Sequence, residues 1–136
     1  MRMKLSLVIA GLALLLPFGH LTAHHAFAAE FDVNKPVKVN GTVTKVEFTN
    51  PHAWLYVDVK EPGRDIVHWD LELGSPGILV QNAWSKETLH PGDTISVKAV
   101  LARNGSPKAS ARIVTLPDGH SMYAASPADG GPQLTP

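Results

Sequence analysis

The 136-residue chain contains no cysteine. That excludes disulfide staples, thiolate zinc sites and iron–sulfur clusters, so any metal must be held by imidazole, carboxylate or amine groups. Burial alone must then stabilise the fold. Net charge is missing as well, 12 Lys and Arg balancing 12 Asp and Glu. Without a basic surface the chain has no means of displacing phosphate counterions, which excludes general nucleic-acid binding, and no polybasic patch for an anionic membrane. It carries no phosphate loop, no nucleophile elbow and no HExxH word, nor a serine, histidine and acid spaced as in a hydrolase. The charged residues are scattered, without internal repeat or heptad.

Only one apolar run is long. Met1-Arg2-Met3-Lys4 supplies two positive charges, Leu5 to Phe18 is almost uniformly apolar, and Gly19 to Ala23 turns small and polar. This order predicts a secretory signal peptide over residues 1–23, its run too short to span a bilayer comfortably. Cleavage after Ala23 would make His24-His25 the new N-terminus. Ala26-Phe27-Ala28 is a competing A-x-A word, and cleavage there would discard both histidines. Ala23 is favoured because it lies five residues beyond the apolar run. Removing Arg2 and Lys4 with the leader leaves 10 basic against 12 acidic residues. The expectation is a periplasmic or secreted bacterial protein with no stable membrane anchor after cleavage.

What remains suffices for one domain with a core and not for two. Residues 24–36 read as an N-terminal arm. Val37 to Phe48 alternates as a half-buried strand until the apolar phase slips to Val46 and Phe48, which predicts a bulge. Asn50-Pro51-His52 is a turn. Ala53 to Lys60 and Ile66 to Leu73 form the next two strands, joined by a Pro-Gly hairpin loop. The first puts Ala53, Leu55, Val57 and Val59 inward, the second Val67, Trp69, Leu71 and Leu73. Ser75 and Pro76 open a short helix as N-cap and first helical residue, burying Leu79, Val80, Ala83 and Trp84. Thr94 to Ala102 and Ala109 to Leu116 complete five strands. The predicted fold is all-β: a small five-stranded OB-like barrel over residues 37–120, with one short helix between strands 3 and 4. Residues 121–136, Pro-, Gly- and Ala-rich from Pro127, read as a flexible tail.

The segments His24 to Asp32, Thr49 to Trp54, Glu72 to Pro76 and Leu89 to Asp93 resemble a family of small exported bacterial proteins whose domain is of unknown function. The resemblance covers nearly all of residues 24–120, and it implies export and a small β-barrel without implying an activity. The strand order also looks like other periplasmic OB-fold proteins, among them the haem chaperone of cytochrome c maturation. That chaperone carries a His-x-x-x-Tyr word, from which His120-Ser121-Met122-Tyr123 departs by one residue.

Two constellations carry chemistry. An N-terminal His24 offers its α-amine and a ring nitrogen as a chelate, and the amine, with a pKa near 8, loses its proton to a metal at little cost. With His25, and with His52 if the arm folds back over that end, the donors are all nitrogen and suit Cu(II) best. The set looks like the histidine brace of exported copper carriers and copper oxygenases. The second constellation is the outer face of strands 2 and 3. Period-two spacing puts His68, Asp70 and Glu72 on one face and Trp54 and Tyr56 on the adjoining one, a ring platform with carboxylates able to stack a sugar or bind a cation. Three function classes follow. The leading one is a periplasmic metal-binding protein, copper as its cofactor, using His24, His25 and His52. The second is a non-enzymatic module holding a small ligand or another periplasmic protein on Trp54, Tyr56, His68, Asp70 and Glu72. The third, ranked last, is a copper-dependent oxidative enzyme.

Overall fold

The computed structural model describes residues 26–125. Residues 1–25, which hold the expected leader with His24 and His25, and the residues from 126 on lie outside the described residues. A helical turn over residues 26–30 (α1) leads into β1 (Phe31–Glu47), β2 (Trp54–Val59), β3 (Val67–Glu72), α2 (Pro76–Gln81), β4 (Thr94–Ala102), β5 (Lys108–Thr115) and β6 (Ser121–Tyr123). The fold is mostly β. The sheet runs β3-β2-β1-β4-β5-β6, and β3 also pairs with β5, in parallel. Each of β1 to β5 therefore has at least two neighbouring strands. No helix among the described residues is long and apolar enough to cross a membrane.

β1 is long because it serves two partners. Its first part pairs with β4 from Phe31 to Thr42, and its end pairs with β2 from Thr42 to Glu47. The expected bulge is present, the register slipping between Val43 and Lys45. Gly41 lies where β1 is flanked on both sides. A Cβ there would stand 2.4 Å from the Asp58 carbonyl oxygen and 2.7 Å from Val57 Cγ1, so only glycine fits.

Alternation along the strands delivers Val39, Val43, Leu55, Val57, Leu71, Ile95, Val97 and Val114 to one core, together with Leu79 and Trp84 of the α2 region. Ser75 caps α2, its hydroxyl accepting from the Ile78 N–H at 3.4 Å, and Pro76 is the first helical residue, as expected. Val80 is exposed instead of buried, because the helix ends within two turns and presents only Leu79 inward. Ala83 is also exposed, at φ 67° in the turn that follows.

Three differences from the sequence reading have physical causes. Val67 is 43% exposed and Trp69 only half-buried, packing against the core from its margin. β5 meets β3 only at Asp70, Leu71 and Glu72, so the start of β3 extends past that pairing. The sixth strand, Ser121–Tyr123, occupies residues assigned above to the tail. It pairs with β5 and buries Met122, while the Trp84 indole N–H donates to the Tyr123 carbonyl at 2.8 Å. Lastly, the arm is part of the domain: Phe27 and Phe31 are 8% and 1% exposed.

Candidate functional site

The arm is fastened by specific contacts. Phe27 of α1 and Phe31, the first residue of β1, stand four residues apart with their ring centroids 5.3 Å apart. The buried Arg112 guanidinium lies 4.5 Å from the Phe27 centroid. The Arg103 side chain donates to the Ala28 carbonyl at 2.6 Å, and its backbone N–H donates to the Glu30 carbonyl at 2.9 Å. Lys108 is hydrogen-bonded to Glu30, and its ammonium lies 5.1 Å from the Trp54 ring centroid. These anchors lay the arm across the outward side of β5, whose Ser110 and Arg112 are consequently buried.

The edge of that contact is a cavity of about 240 Å³. Ala26, Phe27, Glu30 and Phe31 line it from the arm, and His52, Glu72, Leu73 and Ser110 from the sheet. At its polar side His52 Nδ1 stands 2.6 Å from Glu72 Oε1. The pair is positioned by backbone: the Leu73 N–H donates to the Ala53 carbonyl at 2.9 Å, and the Ala53 N–H to the Gly74 carbonyl at 3.0 Å. These bonds hold the turn carrying His52 against the end of β3. Burial pushes the Glu72 carboxyl above its ordinary range, an effect opposed by His52 and Lys108 and reinforced by Glu30. A buried carboxylate of this kind needs a partner, and His52 supplies it.

The outer face expected from the spacing is assembled by the β2–β3 register, which sets Trp54 opposite Glu72, Tyr56 opposite Asp70, and Asp58 opposite His68. Its residues lie in three successive cross-strand pairs along that face. Trp54 and Glu72 join the cavity end with Lys108 and His52. In the middle, Tyr56 donates to Glu47 at 3.0 Å, and the Lys45 ammonium, bonded to the same carboxylate, lies 5.3 Å from the tyrosine ring centroid. Hydrogen bonds from Lys45 and Tyr56 hold the Glu47 carboxyl below its usual range. Burial, reinforced by Glu47, raises that of the Tyr56 hydroxyl. At the far end His68 Nδ1 meets Asp58 at 2.6 Å with its side chain 77% exposed.

Among the described residues no group of three or more His, Asp or Glu side chains is gathered as a metal site. His52 and Glu72 are two such groups, and Ala26, the first described residue, lines the same cavity. His120 lies in the exposed turn before β6 and His90 in the turn before β4, bonded to Glu87, both away from these groups. Sequence reasoning missed Phe27, Phe31, Glu30, Lys108 and Ser110. The i, i+4 spacing of the two phenylalanines was the available signal. No curated protein and no solved structure matches the chain significantly. The profile of a family of unknown function, DUF6152, matches residues 14–111, about seven-tenths of the sequence, and the chain belongs to that family.

Proposed function

We propose that this chain is an exported copper-binding protein, built on a five-stranded OB-like barrel with β6 appended, whose metal donors are the His24 amine and imidazole, His25 and His52. The pairing sequence β1-β2-β3-β5-β4, which returns to β1, supports the barrel reading. The observation that carries the metal reading is the position of Ala26. The arm returns to the turn holding His52, and Ala26 lines the same cavity as that imidazole. His25 is joined directly to Ala26, and His24 to His25.

The burial of Phe27 supports processing after Ala23 over processing after Ala28. The later cut would strip the ring that covers Arg112, together with the Ala28 carbonyl that Arg103 holds. Nitrogen donors with a carboxylate-held imidazole suit Cu(II). The test is calorimetry with Cu(II) on the domain beginning at His24 and on one beginning at Ala26, which keeps every arm contact described above. Tight binding by the first alone supports the reading; equal binding by both refutes it. The alternative, a ligand platform on Trp54 and Tyr56, has less support, because Lys108 and Lys45 already stand over those two rings.

A further inference from the structure

We infer that Glu72 is the positioning residue of this site: it holds His52 in the Nδ1–H tautomer and so makes Nε2 the ligating atom. The inference rests on the copper reading above and deepens it. An ionised carboxylate can only accept a hydrogen bond, so the 2.6 Å contact between Glu72 Oε1 and His52 Nδ1 requires the proton to sit on Nδ1. In a neutral imidazole the other nitrogen then carries the lone pair. Metal-ligating histidines are commonly oriented this way, by a carboxylate on the ring nitrogen that does not bind the metal.

Three features make Glu72 suited to the task. It sits on β3 between two paired strands, opposite Trp54 of β2 and Ser110 of β5, so its backbone is fixed on both sides. Its side chain is only 14% exposed, so water competes little for the bond. Lys108, the cation that could claim the carboxylate, is engaged by Glu30 instead. The chain contains its own control. His68 and Asp58 show the same 2.6 Å contact through Nδ1, but His68 is 77% exposed and lines no part of the cavity. The same bond is there open to water.

Two measurements test the assignment. The first uses the metal-free, ¹⁵N-labelled domain beginning at His24. A two-bond ¹H–¹⁵N spectrum should show His52 protonated at Nδ1 and bare at Nε2. A Glu72→Ala change should release that preference, while Asp58→Asn should leave His52 unaltered. The second is Cu(II) titration. Glu72→Ala should weaken binding about 10- to 100-fold, the usual effect of losing such a partner, and Asp58→Asn should not weaken it. A His52 protonated at Nε2 in the unmodified domain overturns the assignment without any variant having to fold. So does copper binding that depends on His24 but is indifferent to Glu72→Ala, an outcome that leaves the copper reading standing. If removing His24 and His25 changes nothing, the copper reading falls, and the positioning role falls with it.

Discussion

Shortening the chain to begin at Ala29 should destabilise the fold by about 3 kcal/mol. Phe27 is 8% exposed and packs in a small cluster with Phe31 and Ala102, apart from the main core. Truncating a core phenylalanine costs roughly 3–5 kcal/mol, and a satellite position at the domain edge belongs at the low end, since the site can collapse more readily. Two further terms are small. The Arg103–Ala28 bond adds about 1 kcal/mol, reduced by the half-exposure of Arg103. Uncovering Arg112 removes its contact with the Phe27 ring but returns part of the guanidinium to water, so the net change is small. For a domain of about 100 residues, 3 kcal/mol corresponds to a fall in Tm of roughly 12–24 °C. Thermal unfolding followed by circular dichroism on domains beginning at His24, Ala26 and Ala29 isolates the step. The first two should melt together and the third well below them. Equal melting of all three would show that the arm contributes nothing, and the argument for processing before Ala26 would lose its basis.

Gly41→Ala should cost about 2–3 kcal/mol in chemical denaturation, because the clash is with backbone and cannot be relieved by a rotamer change. Trp84→Ala should destabilise by roughly 3–5 kcal/mol and Trp69→Ala by about half as much, the reverse of a core in which both are equally enclosed. The Glu47 carboxyl is depressed in the folded state, so its contribution is present above the ordinary carboxylate range and is lost as pH falls through the folded value. The stability difference between the unmodified domain and Glu47→Gln should therefore shrink between pH 6 and pH 3, and it should be salt-sensitive. Chelators should leave the far-ultraviolet spectrum unchanged, since the core is apolar and holds no histidine.

β1 and β2 were legible because they alternate over a half-buried surface: Leu55 and Val57 face in while Trp54 and Tyr56 face out, and the phase slip before Val46 marked the bulge. The α2 start was legible from Ser75-Pro76, where cap chemistry is local. β6 was not, since three residues carry no periodicity. The Pro117-Asp118-Gly119 turn that reverses the chain, with Gly119 at φ 88°, was its only local signal. The margin of β3 escaped for a different reason. Trp69 alternates correctly, but its burial depends on where β5 begins, a long-range fact that no local pattern contains. The same holds for the site. Residues 68, 70 and 72 share a face by spacing, but the pairing of Glu72 with His52 requires a turn and a strand end to meet. That the arm lies across β5 follows from Phe27 finding Arg112, 85 residues away in sequence.

The central claim is that an N-terminal chelate meets His52, and adding one residue before His24 tests it most directly. The extra residue moves the α-amine out of chelating reach while leaving every histidine and every arm contact in place. Cu(II) affinity of the extended domain should fall about as far as that of His24→Ala, and the affinity of the native domain should itself decline as pH drops below 8 and protons reclaim the amine. If the extended domain binds Cu(II) as tightly as the domain beginning at His24, no amine–imidazole chelate exists and the account is wrong.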